Sequence, residues 1–306
     1  MYGNPVGVKT GSQVKNWLYT AKNYIEVTKP RSVFLLVFTA LVGMFLAAAE
    51  YTMSMPVLLK SLVAITLACS GVNAVSCYVD RDIDAIMERT RQRPIPSGRI
   101  APPEKALVWG LAQFLVASVI ALSLNFASFV CIFLGMLGYV GIYSLWFKRK
   151  SAWNIILGGF SGGLPALFGW TSVSGKVELL PVLISLLVVL WIPNHIWNLA
   201  IFYKDDYRKV GVPMLPVVCN TKRTLLYILF TVIAMFALSI GIYFAGTMGT
   251  FYLVSAIVCG FVIAAGNIYL FFAPEQKKAW FLYKLSSPYL FLIFLAMIID
   301  HHIILA

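Results

Sequence analysis

Long apolar stretches without any charge alternate along the chain with short charged segments. A membrane-spanning helix needs about 20 predominantly apolar residues, so 106–147 and 224–274 can each hold two helices, separated near Asn125 and at 246–249. The last helix extends back past Lys284, whose ammonium can reach the membrane surface. The uncharged stretches are 32–49, 61–79, 106–147, 151–175, 179–203, 224–274 and 285–299. This pattern predicts nine membrane-spanning helices.

The composition agrees with a membrane protein. Of 306 residues, 60% are hydrophobic and 12% are charged, whereas a soluble domain carries about 25% charged residues. The fold class that we expect is an all-α polytopic membrane protein, with the nine transmembrane helices in a single bundle. Residues 1–23 form a cytoplasmic N-terminal segment in this prediction, and residues 24–306 form the membrane domain. The five cysteines contain no C-x-x-C pair, which argues against a disulfide or zinc framework.

Basic residues fall almost entirely on one side of the predicted membrane. With nine helices, 22 of the 24 Lys and Arg residues share a side, and only Lys60 and Lys176 lie on the other. Cytoplasmic loops of membrane proteins carry an excess of Lys and Arg, so we expect the N-terminus in the cytoplasm and the C-terminus outside. The net charge of +12 is thereby explained by topology, and no nucleic-acid partner is expected.

Acidic residues are scarce, and half of them lie in two short segments. Asp80, Asp82, Asp84 and Glu88 follow the second predicted helix, and the pair 205–206 follows the sixth. A carboxylate at the centre of a membrane helix costs about 2.5–3.5 kcal/mol and less near its ends. Two acidic groups on the same face of the membrane therefore indicate that something positively charged lies between them.

Helical spacing divides the first acidic segment into two faces. If the second helix continues, Asp80 and Asp84 point the same way because residues four apart share a face. Asn73 and Ser76 precede them on that face, and Glu88 continues the row. Asp82 falls on the opposite side, where we expect Arg81, Arg89 or a backbone amide to pair with it.

A row of carboxylates with a basic rim is typical of a diphosphate site. Mg²⁺ binds one or two protein carboxylates and shares its remaining positions with substrate phosphates. Basic side chains nearby bind phosphate oxygens directly; those that we expect in this role are Arg89, Arg91, Arg93, Lys148, Arg149 and Lys204. The alternative that both segments are solvated charge, with acids balancing arginines, stays open from spacing alone.

Several motifs resemble the UbiA-type intramembrane prenyltransferases, and within them the members that farnesylate heme. The resemblance covers about residues 24–220; the last three helices match only in hydropathy. It rests on Thr28-Lys29-Pro30-Arg31, Asp80-Arg81-Asp82-Ile83-Asp84 with Met87–Pro94, Lys148-Arg149, the glycine-rich 158–165, Trp191-Ile192-Pro193-Asn194-His195-Ile196-Trp197, Lys204-Asp205-Asp206-Tyr207 and Gly211–Pro216.

The resemblance implies transfer of a farnesyl group from farnesyl diphosphate to a vinyl group of heme B. It implies a magnesium-dependent enzyme, with a heme A synthase or oxidase assembly factor as a possible partner. The distribution of basic residues predicts a site that faces the cytoplasm, and the lack of a transit-like Arg/Ser presequence favours a prokaryotic plasma membrane. The ligands for Mg²⁺ are then Asp80, Asp84, Asp205 and Asp206, and the catalytic residues are Asp80, Asp84, Asp206 and Lys204. Substrate contacts are expected from the basic rim and from Asn73, Ser76, Tyr143, His195 and Tyr207.

Two departures from the family pattern concern the site. The family usually has Asn one helical turn before the first Asp, where this chain has Ser76 followed by Cys77. The family's Pro-His-Phe-Trp becomes 194–197, Asn-His-Ile-Trp, with His195 kept. We therefore expect a rearranged metal site and a retained histidine.

His195 is the only histidine within a predicted span. An ionisable side chain inside a membrane is functional by default, and histidine is a common heme ligand, so we expect a contact with substrate heme. A packing histidine remains the alternative. Two rival functions also stay open: a prenyltransferase with an aromatic or lipid acceptor, and a heme transporter without catalysis.

Overall fold

The computed structural model describes residues 10–246 and 248–301, and all the regular secondary structure in this part of the chain is helical. Loops of a few residues connect most of the helices, and the longest connection, 87–103, follows the first acidic segment. The elements are α1 (Thr10–Glu26), α2 (Pro30–Ala48), α3 (Met55–Val79), α4 (Arg81–Ile86), α5 (Glu104–Leu124), α6 (Phe126–Met136) continued by a π-helix (Leu137–Phe147), α7 (Asn154–Ser174), α8 (Leu179–Phe202), α9 (Lys204–Lys209), α10 (Leu215–Val218), α11 (Thr221–Phe244), α12 (Thr250–Phe272) and α13 (Gln276–Ile299).

Within the described residues, eight helices are long and apolar enough to cross a membrane, counting α6 and the π-helix as one. The remaining long helix, α7, has 21 residues but contains five glycines and three serines, which lower its hydropathy. It packs between α2, α8 and α6, so small residues face neighbouring helices there rather than lipid. The chain is thus an all-helical integral membrane protein, while the count of nine spans and the sidedness stay predictions.

Two of the predicted helix breaks lie where the sequence places them. Asn125 separates α5 from α6, and its side chain accepts a hydrogen bond of 2.8 Å from the Ser128 amide, as an N-cap residue does. The second break, between α11 and α12, contains Gly246 with a φ of 77°, a left-handed conformation that favours glycine. The predicted domain boundary after residue 23 falls inside α1.

Glycines allow the closest helix contacts of the bundle. A Cβ atom on Gly43 of α2 would lie 2.3 Å from the carbonyl oxygen of Ala166, and one on Gly169 of α7 would lie 1.9 Å from that of Ala40. Interfaces in membranes use small residues because backbones can then approach and pack tightly. The α2–α7 crossing consequently fixes two walls of the central bundle against each other.

A buried aspartate joins two helices at the end of the bundle that lies opposite the two acidic segments. Asp300, just after α13, is fully buried and accepts hydrogen bonds from the backbone amides of Gly249 and Tyr252. These amides belong to the first turn of α12, whose free N–H groups need acceptors. Asp300 thereby joins the end of α13 to the start of α12.

Replacing Gly169 with alanine is expected to destabilise the fold. The added Cβ would overlap the Ala40 carbonyl oxygen, and overpacking of this kind costs about 1–3 kcal/mol or more. Thermal unfolding in detergent should therefore shift to lower temperature. The matched control is Gly241→Ala in α11, where nothing lies within 4 Å; it should be neutral or slightly stabilising. Equal unfolding temperatures for the two variants would contradict the tight α2–α7 crossing.

Candidate active site

Two buried carboxylates lie where α3 passes into α4. The helix is interrupted at Asp80, whose φ is −90° and ψ is 6°, but hydrogen bonds between residues four apart continue through the break. The Asp80 amide donates to Ser76 at 2.9 Å, and the Asp84 amide donates to Asp80 at 2.8 Å. Asp80 and Asp84 are each 4% exposed, whereas Asp82 is exposed. The spacing of four residues thus places the first and third aspartates on one buried face.

Each buried carboxylate is paired with one cation from a different segment. The Lys148 ammonium lies 2.5 Å from Oδ2 of Asp80, and an Arg93 guanidinium nitrogen lies 2.7 Å from Oδ2 of Asp84. Ser76 Oγ donates to the same oxygen of Asp80 at 3.5 Å, so the residue that replaces the family's Asn does reach the carboxylate. Removing either cation would leave a buried charge uncompensated, which is strongly unfavourable.

Asp82 is paired on the outer side of the same turn. Arg149 donates to both oxygens of Asp82, each at 2.7 Å, and this hydrogen bond holds the pKa of Asp82 at about 2. Of the expected partners of Asp82, backbone amides do bind it, those of Ile83 and of Asp82 itself. The two arginines do not, because Arg81 donates to the Tyr78 carbonyl oxygen at 2.7 Å and Arg89 turns towards tyrosines.

The π-helix delivers both basic residues to the aspartates. Its last hydrogen bond runs from the Lys148 amide to the carbonyl oxygen of Tyr143, five residues earlier, at 2.8 Å. A π-helix is rare, and short π segments are frequent at functional sites. Here the wider turn ends at Phe147, so that Lys148 reaches Asp80 and Arg149 reaches Asp82. The Lys148 ammonium also lies 5.7 Å from the Tyr143 ring centroid.

The second acidic segment meets the first through Arg89. In α9, Asp206 is 8% exposed and Tyr207 is 7% exposed. Arg89 donates to the Tyr207 hydroxyl at 3.4 Å and lies 5.2 Å from the Tyr203 ring centroid, a cation–π distance. A pocket of about 360 Å³ opens between these segments, lined by Glu88, Arg89, Phe202, Tyr203, Asp205 and Asp206.

Several predicted site residues lie at the rim of this centre or away from it. Asp205 is paired with Arg208 at 2.7 Å and Arg91 with Glu88 at 3.5 Å, and all four side chains are more than half exposed. The prediction that Glu88 continues the carboxylate row is wrong, since α4 ends at Ile86 and the backbone becomes extended at Met87.

Lys204 lies outside the aspartate centre as well. It lines a separate pocket together with Thr221 and Glu275, on the side of α8 that faces α11 and α12. Asp206, two residues later, has its nearest cation in Lys209, at 3.8 Å. From this segment, Tyr207 contacts Arg89 and Asp206 lines the pocket beside it, whereas Lys204 lies apart from both.

Lys29 is a cation of this centre to which the sequence analysis assigned no role. It adopts the left-handed conformation, with a φ of 55° and ψ of 63°, immediately before α2, and such a backbone is uncommon for a residue with a side chain. Burial lowers the pKa of Lys29, but Cys77, Tyr139 and Asp80 raise it, and the pKa lies above its ordinary value. The sequence feature that could have indicated this role is the Thr-Lys-Pro-Arg motif before α2, in which Lys29 is the second residue.

Arg99 fixes the loop that carries Arg93. Its guanidinium donates to both carboxylate oxygens of Glu26 in α1, at 2.6 and 2.7 Å, and to the Gln92 carbonyl oxygen at 2.6 Å. The hydrogen bond from Arg99 lowers the pKa of Glu26. Ser97 receives a further bond from Arg99 and donates to the Arg93 carbonyl oxygen at 2.7 Å. Arg99 therefore binds the backbone of Gln92 directly and the backbone of Arg93 through Ser97, and so fixes the part of the loop from which the Arg93 side chain projects.

An apolar cavity of about 240 Å³ lies in the bundle below the aspartates. It is enclosed by α2, α3, α6, α7 and α8, and most of its lining is aliphatic or aromatic, with Phe168 among the fully buried residues. Polar side chains enter it at few positions, including Asn73, Tyr139 and His195. The His195 ring is stacked on Trp191, with a centroid distance of 4.4 Å.

The donor chemistry at Asp80 fits a magnesium ion. Its second oxygen, Oδ1, is buried and has no hydrogen-bond partner among the described residues. In the same part of the chain, no three Asp, Glu, His or Cys side chains lie close enough to hold a metal as a group. Mg²⁺ does not require such a group, because it usually binds one or two carboxylates and completes its shell with water and substrate phosphates.

A family model described as the UbiA prenyltransferase family matches residues 36–296 of the chain. Among curated proteins, the protoheme IX farnesyltransferase of Desulforudis audaxviator is 55% identical over 281 residues, covering 92% of this chain and 89% of that protein. The protoheme IX farnesyltransferase of Archaeoglobus fulgidus is 38% identical, covering 91% of this chain and 97% of that protein.

Solved structures share the fold. A structure concerned with digeranylgeranylglyceryl phosphate synthase has a TM-score of 0.77 at 21% identity and covers 92% of this chain and 98% of its own. A UbiA homologue from Archaeoglobus fulgidus, bound to GPP and Mg²⁺, has a TM-score of 0.65 at 15% identity and covers 90% of this chain and 99% of its own.

Replacing Arg93 with methionine should destabilise the protein, because Asp84 would remain buried without its partner. We expect a loss of about 1–3 kcal/mol, the cost of an unsatisfied buried polar group, measured as the free energy of unfolding in mixed micelles. Arg91→Met, in an exposed pair, should stay within about 0.5 kcal/mol of wild type. The double variant Arg93→Met/Asp84→Asn should recover part of the loss. Equal effects of the two single variants would contradict the buried pair.

Proposed function

Because this chain belongs to the UbiA prenyltransferase family, we propose that it transfers a farnesyl group from farnesyl diphosphate to a vinyl group of heme B, giving heme O. The observation that carries the proposal is the set of paired, buried carboxylates directly above an apolar cavity. A prenyl diphosphate has the same division into a charged head and an apolar tail. The choice of heme B as the acceptor rests on relatives named protoheme IX farnesyltransferase.

The charged end of the site suits the diphosphate head. Lys148, Arg93 and Lys29 surround the two buried aspartates, and Arg89 reaches in from the pocket beside α9. Charge-assisted hydrogen bonds from such groups to phosphate oxygens are short and strong. These cations neutralise the aspartates in the structure, so a bound diphosphate would share them with the carboxylates.

Asp80 and Asp84 would hold Mg²⁺, which when bound supplies positive charge beside the leaving diphosphate; the part of Asp206 from α9 as a further ligand stays a prediction. Fixed positive charge aimed at a group that becomes more negative in the transition state lowers the barrier. Lys148 and Arg93 contribute to the same stabilisation, because their ammonium and guanidinium groups already lie at the carboxylates. No covalent bond from the protein to the substrate is needed.

The transfer replaces the bond between the farnesyl group and the diphosphate with a carbon–carbon bond to the heme. The C1–O bond of farnesyl diphosphate breaks, and its electron pair leaves with the diphosphate. The π electrons of the vinyl group form the new carbon–carbon bond to C1. This leaves a carbocation at the former vinyl carbon next to the porphyrin ring. The oxygen of one water molecule bonds to that carbon, and the water loses a proton, which leaves a hydroxyl group. The apolar cavity keeps water from the allylic cation before the new bond forms.

The acceptor is expected between the aspartates and His195, which lies on the wall that α8 contributes to the cavity. Asn73, Tyr143 and Tyr207 complete the predicted contacts to the substrates. We propose that the charged end faces the cytoplasm, because 22 basic residues share that side; the prokaryotic plasma membrane stays a prediction. The partner, a heme A synthase or oxidase assembly factor, stays a prediction.

The direct test is incubation of purified protein with heme B, farnesyl diphosphate and Mg²⁺, followed by mass analysis of the porphyrins. A product larger than heme B by one farnesyl group and one hydroxyl group is expected. Parallel reactions with an aromatic acid and with a lipid glycerol as acceptor distinguish the alternatives. A farnesylated aromatic or lipid product, with heme B unchanged, would contradict the acceptor assignment, and binding of heme without any prenylated product would indicate a transporter.

Asp80→Asn and Asp84→Asn should each lower kcat by about 100-fold or more, the usual effect of removing one group that stabilises transition-state charge. Asparagine keeps the shape of the side chain, and thermal unfolding in detergent verifies that the variants fold. The control is Glu104→Gln, which removes an exposed carboxylate at the start of α5, outside the site, and should turn over at nearly the wild-type rate. Wild-type rates for both buried positions would refute their role.

Removing divalent metal with a chelator should abolish turnover, and added Mg²⁺ should restore it. Absorbance changes on adding heme B should survive the chelator, because His195 lies in the cavity apart from the aspartates. A full rate of farnesyl transfer in the presence of excess chelator would contradict the role given to the metal.

A further inference from the structure

Ser286 of α13 forms hydrogen bonds with the two aromatic side chains of α8 that line the cavity, Trp191 and His195. The backbone oxygen of Ser286 accepts a hydrogen bond of 2.7 Å from the indole N–H of Trp191. The hydroxyl oxygen of Ser286 lies 2.6 Å from Nδ1 of His195. Ser286 is fully buried, and Trp191 and His195 both line the cavity. The orientation of both rings therefore depends on this serine.

The hydrogen-bond pattern determines which nitrogen of His195 carries the proton. The Ser286 hydroxyl donates its single proton to the Tyr283 carbonyl oxygen at 2.7 Å. A hydroxyl has one proton to donate, so towards His195 it can only accept. Nδ1 of His195 must then be the protonated nitrogen, and Nε2 carries the free lone pair.

Nε2 is the atom that the ring presents to the cavity. The side-chain hydrogen bond of the ring runs from its other nitrogen, Nδ1, to Ser286, and the His195 side chain lines the cavity. The ring lies between Trp191 and Tyr283, with both centroid distances at 4.4 Å. Rotation of the imidazole is thereby restricted, and its lone pair has a fixed direction.

We propose that Nε2 of His195 is the axial ligand to the iron of the heme acceptor, and that Ser286 is the positioning residue which fixes this tautomer. Neutral imidazole is the commonest metal ligand among side chains. Ligating histidines almost always donate their other N–H to an acceptor that orients the ring, which is the relation of His195 to Ser286. The inference rests on the proposed function and adds the atom that holds the acceptor.

Ser286→Ala removes the acceptor for Nδ1–H and keeps the backbone oxygen that Trp191 uses. We expect the Kd for heme B, from titration of the Soret band, to rise about 10- to 100-fold, the usual effect of losing such a partner. Ser286→Thr keeps the hydroxyl and should restore the wild-type spectrum. Ser287→Ala, at the next position, is the control and should bind like wild type. A wild-type Kd and spectrum for Ser286→Ala would overturn the positioning role.

His195→Gly tests the ligand itself. This variant should lose the spectrum of histidine-ligated heme, and added imidazole should restore it by occupying the space of the missing ring. Retention of the wild-type spectrum without imidazole, or no response to imidazole in a folded variant, would overturn the axial role. Farnesyl transfer by the wild type is measured in parallel. If the wild type binds heme through His195 and forms no farnesylated product, the proposed function fails while the ligand assignment stands.

Discussion

The structure depends on compensation of charge at the edge of a membrane. Asp80 and Asp84 are buried at the end of a membrane-spanning helix, where an unpaired carboxylate would be strongly unfavourable. Lys148 and Arg93 supply the compensation; Lys148 comes from 68 residues further along the chain, and Arg93 from the loop that follows α4. These two pairs therefore hold the end of the π-helix and the loop after α4 against the junction of α3 and α4, while they also gather the charges that a diphosphate needs.

The apolar part of the site follows from close packing instead of charge. Glycines at the α2–α7 crossing bring two backbones into contact, and aromatic and aliphatic side chains enclose the cavity beneath the aspartates. Because the tight packing leaves little freedom, the few polar groups in the cavity have defined directions. His195 is the clearest case, since three neighbours fix its ring.

Sequence patterns predict the helices and the first half of the site well. Apolar runs locate the breaks at Asn125 and Gly246 because length and capping chemistry are local properties. The spacing of Asp80 and Asp84 likewise predicts their common face, since one helical turn separates them. The resemblance to prenyltransferases adds the acceptor, which no local pattern contains.

Partners across the bundle could not be predicted in the same way. Asp82 binds Arg149 because the π-helix adds a wider turn before Lys148, and nothing in the local sequence indicates a π-helix. Glu88 leaves the row because α4 ends early at Ile86. Lys29 reaches the site through a left-handed backbone, and Ser286 acts from a helix 91 residues away along the chain.

Binding of farnesyl thiodiphosphate, an analogue that ionises slowly, tests the central claim most directly. Its affinity is measured by titration calorimetry with and without Mg²⁺, for wild type and for Asp80→Asn. The account predicts that Mg²⁺ tightens binding to the wild type by at least about tenfold, which is 1.4 kcal/mol, and leaves the variant unchanged. The same tightening in both proteins would contradict the assignment of the buried carboxylates to the metal and diphosphate.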